Sequence, residues 1–144
     1  MSLTGTMEVP AGQNDARALV IKLRIVNPTD RRIAILNPDM GVPSSSMNWP
    51  FSKQVYQTSL LLSFGYLSMS VTDEAGKELQ QQVIQTWATP ALRPPLELEP
   101  GDSFEVAIPI GHFYQLMSRK AYGVALTYGD QNLRVSARTR VNVP

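Results

Sequence analysis

The chain has 144 residues, which favours one domain, and 43% hydrophobic against 17% charged side chains indicate a folded core rather than a disordered chain. Thirteen basic and twelve acidic side chains nearly cancel, so no strong overall field points to nucleic acid or to an anionic membrane. The sequence has no cysteine and one histidine, which excludes disulfides, thiol nucleophiles and metal sites built from several cysteines or histidines.

Residues 1–15 show no sustained periodicity and are predicted to be extended or partly disordered. They contain no basic segment followed by an apolar one, so we expect no signal peptide in this chain. No run reaches the roughly 20 apolar residues of a membrane-spanning helix, and we expect a soluble chain without membrane insertion. The compartment stays open, because a periplasmic or secreted protein would already have lost its leader.

Apolar and polar residues alternate in three segments of the first half of the chain, at 19–25, 33–35 and 67–72. Each segment predicts a half-buried strand, because successive side chains of a strand point to opposite faces. Asp73 to Lys77 predicts a hairpin connection in which Gly76 takes a positive φ. A weaker strand is predicted from there to Ile84, since three consecutive glutamines offer no apolar face.

The second half continues the alternation, with predicted strands at 96–98, 104–110, 122–128 and 133–141. Pro100 and Gly101 suit the two central positions of a type II turn. No helix longer than a turn or two is predicted, and a parallel sheet needs crossover helices. The expected fold is therefore all-β: a single antiparallel immunoglobulin-like β-sandwich of about seven or eight strands.

Residues 37–59 break this pattern and are predicted to form a long loop, which is uncommon in a compact domain. Met47, Trp49 and Phe51 stand at alternate positions of the segment, and Tyr56 follows them. Such side chains are enriched at interface cores, and loops on a rigid scaffold commonly carry binding sites, so we predict a partner site here. The alternative is that the segment covers an open end of the sandwich, because exposed clusters of this size are rare in monomers.

The C-terminal residues 119–144 are basic, with five basic side chains and one acidic side chain. Arg134, Arg138 and Arg140 share parity and are expected to project from one face of the last strand, where an acidic partner or phosphates could bind. Nucleic acid is not expected, because no aromatic residue stands between the arginines. The structural alternative is pairing with carboxylates of neighbouring strands, namely Glu97, Glu99 and Glu105.

No catalytic constellation stands out. His112 follows a strand end and could act as a general base, but no Gly-x-Ser-x-Gly elbow accompanies it. The adjacent Asp73 and Glu74 are expected to be solvated at a hairpin, and no Asp-x-Asp-x-Asp run indicates calcium. We therefore expect no enzyme, no metal site and no cofactor.

The order of short motifs along the chain resembles a bacterial sandwich pattern. The motifs are a strand ending in Asn, an Asp-x-x-Gly turn, a Leu-x-Pro-Gly-Asp turn, a Tyr-x-Leu element and a strand led by Tyr, at Asn27, Asp73–Gly76, Leu98–Asp102, Tyr114–Leu116 and Tyr122. This order is similar to that of immunoglobulin-like domains of the intracellular proteinase inhibitor type and of propeptide-like sandwiches of secreted metallopeptidases. The resemblance covers roughly residues 17–130 and implies the fold and, as one activity, protease inhibition through a loop.

The function we expect is that of a non-catalytic β-sandwich module, structural or protein-binding, whose partner is another protein or a second copy of the chain. A first alternative is a protease-inhibitor or propeptide-like domain that acts through a loop. A second is a hydrolase on a sandwich scaffold, whose activity should disappear on His112→Ala. An inhibitor should instead slow at least one protease of a panel.

Overall fold

A computed structural model describes residues 2–39, 53–82 and 93–144. These ranges contain eight strands, one α-helix and two short 3-10 helices. The strands are β1 (Thr4–Glu8), β2 (Ile21–Val26), β3 (Ile33–Ile35), β4 (Leu67–Thr72), β5 (Leu96–Leu98), β6 (Ser103–Ile108), β7 (Ala121–Gly129) and β8 (Arg134–Asn142). The α-helix is α1 (Lys53–Ser63), and the 3-10 helices are Ala16–Ala18 and Ile110–His112.

The strands form three antiparallel sheets, which confirms the all-β class. Two sheets have three strands, in the orders β1-β2-β6 and β4-β7-β8, and the third pairs β3 with β5. In the first, Leu23 of β2 lies opposite Met7 of β1 and Val106 of β6. In the second, Leu126 of β7 lies opposite Met69 of β4 and Ala137 of β8.

The predicted alternation places one face of each long strand in the core. Ile21, Leu23 and Ile25 of β2 are fully buried, and Val124 and Leu126 of β7 are almost so. Side chains of all three sheets belong to one buried hydrophobic cluster. The period-2 pattern therefore predicted correctly which side of these strands faces the interior.

Helix α1 corrects the predictions that residues 53–59 belong to a loop and that no helix is longer than two turns, whereas residues 40–52 of the predicted loop lie outside the described ranges. Val55, Tyr56 and Leu60 are buried at helical spacing, and the Ser59 hydroxyl donates to the Val55 carbonyl at 2.7 Å. The helix contacts β4 and β6, the outer strands of two different sheets. Packing of one side of this amphipathic segment against both sheets stabilises its helical conformation.

The predicted turns are present. Gly76 and Gly101 have φ values of 82° and 85°, and Asp102 N–H donates to the Glu99 carbonyl at 2.9 Å, as a type II turn requires. The predicted strand from Lys77 to Ile84 is reduced to a single bridge between Thr72 and Glu78, and its last residues lie outside the described ranges. Because this glutamine-rich segment has no apolar face, a longer strand would not bury additional hydrophobic side chains.

Two of the sequence motifs contact each other at one corner of the molecule. Asn27, at the end of β2, donates its backbone N–H to the Asp102 carbonyl at 2.9 Å and accepts from Gly101 N–H at 2.8 Å. Its side-chain amide donates to the Leu98 carbonyl at 2.9 Å. The motif residues therefore act as structural residues that join β2 to the turn before β6.

The raised pKa values of two buried tyrosines make the free energy of unfolding depend on pH in the alkaline range. Burial raises the pKa of Tyr114 to about 12, and Glu78 adds to the effect. The Tyr114 hydroxyl lies 3.0 Å from the Gln81 side-chain oxygen. Burial also raises the pKa of Tyr128, whose hydroxyl donates to the Leu36 carbonyl, with a smaller contribution from Asp130. The ionised phenolate is thus disfavoured in the folded state.

We expect the free energy of unfolding to fall between about pH 10, where tyrosines of the unfolded chain ionise, and about pH 12, because the folded chain retains its protons longer. The stabilising effect is complete below about pH 10 and disappears as the pH rises through the folded pKa values. Urea titrations between about pH 10 and about pH 12 will measure the slope of the free energy of unfolding against pH. Tyr114→Phe should reduce this slope, because it removes one of the two raised pKa values; a slope equal to that of the parent chain would contradict the prediction.

Candidate functional site

The four predicted loop residues do not form a described site. Met47, Trp49 and Phe51 lie outside the described residues. Tyr56, which was predicted as a binding residue, lies on α1 with only 5% of its surface exposed. The helix turns Tyr56 and Leu60 toward the core, so the Tyr56 side chain belongs to the packing of the fold.

Arg134, Arg138 and Arg140 lie on the outward side of β8, as their shared parity predicts. All three are exposed, whereas Val135 between them is buried. Arg134 Nε donates to the Asp130 carbonyl at 3.2 Å. The ion pairs within the described ranges leave Arg138 and Arg140 without a carboxylate partner.

The alternative prediction was that these arginines pair with three glutamates of neighbouring strands. In the structure, the three glutamates form ion pairs with other residues. Arg32 lies 3.4 Å from Glu97 and 2.6 Å from Glu99, measured between nitrogen and carboxylate oxygen. Lys22 Nζ lies 3.6 Å from Glu105 Oε2, across the β2–β6 ladder. Strand β8 belongs to a different sheet from β5 and β6, so the expected pairing is wrong.

We name the outward side of β4, β7 and β8 the arginine face. Its residues alternate with the buried residues of the same strands, and the register aligns them in rows across the sheet. The rows are Thr72, Gly123 and Arg140; Ser70, Ala125 and Arg138; and Ser68, Thr127 and Ser136; Arg134 lies at the end of β8.

Short side chains make the arginine face flat apart from its arginines. At Gly123, a β-carbon would lie 2.8 Å from the Thr72 hydroxyl oxygen, so a larger residue there would require the Thr72 side chain to move. The hydroxyls of Thr127 and Ser136 lie 2.9 Å apart and bridge β7 to β8. A partner can therefore approach the β4 and β7 side of the sheet closely, with the arginines along one border.

A depression of about 340 Å³ adjoins the Arg140 end of the face. Its lining includes Glu74, Leu79, Lys120 and Met117, and 63% of the Met117 surface is exposed. A neighbouring depression shares Glu74 and reaches Arg140, so the two surfaces are continuous. The end of the arginine face thus combines a cation with an exposed apolar side chain.

Tyr122 forms the floor of both depressions and holds the adjacent turn. It has 6% of its surface exposed, and its hydroxyl accepts a hydrogen bond from Met117 N–H at 2.9 Å. Arg119 in the same turn has a φ of 62°, a conformation that is uncommon outside glycine. Tyr122 is therefore a core residue that fixes the position of Met117.

The groups considered for catalysis are not assembled into a site. His112 is half-buried on the 3-10 helix after β6. Asp73 Oδ1 accepts the N–H groups of Ala75 and Lys77, both at 2.9 Å, as an ordinary turn residue does. Within residues 2–39, 53–82 and 93–144, no three His, Asp or Glu side chains are grouped to hold a metal ion.

No protein-family model matches the chain, and no match is found among curated proteins. In the described part of the chain, no helix has the length and apolar character needed to cross a membrane.

Sequence reasoning identified the arginines but missed the rest of the face. The signal was present as Ser68, Ser70 and Thr72 on β4 and as Gly123, Ala125 and Thr127 on β7, each set alternating with apolar residues. Each set alone is typical of the solvated side of a strand. Only the β4-β7-β8 order places the two sets beside the arginines.

Proposed function

We propose that this chain is a non-catalytic, immunoglobulin-like β-sandwich module that binds a protein partner through the arginine face. The orders β1-β2-β6 and β4-β7-β8 correspond to the A-B-E and C-F-G strand sets of immunoglobulin domains, which supports this fold. Tyr122, bonded to the backbone five residues upstream at the start of β7, resembles the tyrosine corner of such domains.

The observation that carries the proposal is the exposure of Arg138 and Arg140 on a flat sheet face, with the carboxylates expected to neutralise them engaged elsewhere. Arginine is enriched at protein interfaces and contributes strongly where it becomes desolvated. Met117 adds an exposed apolar contact at the end of the same surface. Cations at the border and an apolar side chain at one end are features that a protein partner can use.

Selection from a display library of gene fragments of the source organism tests this function. The chain serves as bait beside the double variant Arg138→Gln/Arg140→Gln, whose substitutions lie on the surface and should leave thermal unfolding unchanged. We expect fragments that bind the parent chain and are lost with the variant. If every selected fragment binds both proteins equally, the arginine face is not the binding surface and the proposal fails. Fragments derived from proteases would favour the inhibitor alternative.

A further inference from the structure

We infer that the partner presents an extended acidic segment, with carboxylates at alternate positions, to the arginine face. This inference rests on the proposed function and specifies the chemistry of the ligand at the same surface. It concerns the border formed by Arg134, Arg138 and Arg140 along β8.

The spacing of the arginines matches an extended polypeptide. Arg138 and Arg140 are two residues apart on one side of β8, so their Cα atoms are separated by about 7 Å along the strand. Carboxylates at positions i and i+2 of an extended peptide have the same period. Each guanidinium can bind a carboxylate through two parallel hydrogen bonds, which gives the contact both strength and orientation.

The carboxylates at the two ends of this border accept hydrogen bonds from backbone N–H groups, and Glu78, which pairs with Thr72 on the β4 side of the face, accepts one from the Ser70 hydroxyl at 3.1 Å. Asp130, beside Arg134, accepts from Asn132 N–H at 2.8 Å through Oδ1. At the other end, Glu74 Oε1 accepts from Ala121 N–H at 3.2 Å. Asp73 is bonded to the backbone of its own turn, as described above. The charged side chains of β8 itself are all arginines, and Arg138 and Arg140 have no carboxylate partner among the described residues, so an acidic segment would complement this strand.

A polypeptide fits the face better than a nucleic acid does. Proteins that bind single strands stack bases on aromatic side chains, and the outward residues of β4, β7 and β8 within the described part of the chain include none. Hydroxyls on this face, such as those of Ser68 and Thr72, suit hydrogen bonding to a peptide instead. The observations therefore favour carboxylates over phosphates as the anions.

Fluorescence anisotropy with synthetic probes tests the inference on the full chain. The first probe is a labelled peptide in which Glu and Thr alternate; the second replaces every Glu by Gln; the third has the same composition with the Glu residues in one block. We expect the alternating acidic peptide to bind more tightly than the other two. In Arg138→Gln/Arg140→Gln its affinity should fall about tenfold or more.

The matched control is Arg17→Gln/Arg31→Gln, which removes the same charge from two exposed arginines away from the face. This variant should change the affinity less than twofold if position rather than net charge decides binding. Thermal unfolding of both variants should match the parent chain, because all four side chains are exposed.

Four results would overturn the inference. They are no binding of the alternating acidic peptide, equal binding of the Gln or block peptide, an equal loss in the control variant, and tighter binding of oligothymidylate or a sulfated oligosaccharide to the same arginines. The proposed function has a separate outcome, because the fragment selection does not presuppose acidic ligands. Neutral fragments that depend on Arg138 and Arg140 would refute the acidic chemistry and leave the binding face in place.

Discussion

Replacement of Asn27 by leucine is expected to lower the free energy of unfolding by about 3–5 kcal/mol. The Asn27 side chain is fully buried and donates to the carbonyls of Arg31 and Leu98 at 2.7 and 2.9 Å. Its oxygen accepts from the N–H and the hydroxyl of Thr29 at 3.0 and 2.6 Å. Leucine has a similar volume but removes the bonds to the Leu98 carbonyl and the Thr29 N–H, whereas the Thr29 hydroxyl can still donate to the Arg31 carbonyl, 3.1 Å away. Each unsatisfied buried polar group costs about 1–3 kcal/mol.

Urea titration of Asn27→Leu measures this loss, and two further variants make the interpretation specific. Asn27→Asp should be strongly destabilised at neutral pH, because a carboxylate cannot donate to the Arg31 and Leu98 carbonyls. Asn142→Ala, at an exposed position of β8, should change stability by no more than about 0.5 kcal/mol. A stable Asn27→Leu variant would show that the corner between β2 and the 98–102 turn does not depend on this amide.

Truncation of Tyr122 to alanine is expected to cost about 3–5 kcal/mol, as large aromatic truncations in cores do. The prediction that Tyr122 is a core residue is confirmed by its 6% exposure and by its membership of the buried cluster. Its ring packs at the start of β7, and its hydroxyl holds the Met117 N–H. Removal of the ring leaves a cavity and frees the turn that carries Met117.

Thermal or urea unfolding of Tyr122→Ala measures the cost, and Tyr122→Phe separates its two parts. The phenylalanine variant keeps the ring and loses only the hydrogen bond, so we expect a loss of about 0.5–1.5 kcal/mol. Tyr66→Ala, where the tyrosine is only half-buried, provides the comparison and should cost less than Tyr122→Ala. Unfolding of Tyr122→Ala at the parent temperature would contradict the buried position.

Local patterns were sufficient for much of the fold. Alternation predicted β2, β3, β4, β5, β6, β7 and β8, and turn chemistry predicted the positive φ of Gly76 and Gly101. Such features depend on residues close in sequence: period-2 burial follows from the pleat, and a positive φ follows from the turn type. The element bounds differ from the predicted ones by a residue or two, because strand ends depend on their partners.

Strand β1 and helix α1 could not be predicted from local patterns, and the physical reason is the same for both. No residue of Thr4–Glu8 is fully buried, and the segment becomes a strand because β2 is available to pair with it. Thr58 and Ser59 interrupt the apolar stripe of α1, yet both are buried because the helix contacts β4 and β6. In each case the conformation is selected by surfaces distant in sequence, which overrides weak local preference.

The candidate site, like the fold, could be predicted from the sequence only in part. The sequence alone determined that Arg134, Arg138 and Arg140 share one side of a strand, because parity is a property of the extended chain. Which carboxylates would face them was decided only by the tertiary structure. It places Glu97 and Glu105 in other sheets and Glu99 directly after β5, and all three pair with Arg32 or Lys22. Strand order arises from pairing between residues distant in sequence. A single sequence therefore predicts which charges lie on a strand but not which side chains of other strands lie beside them.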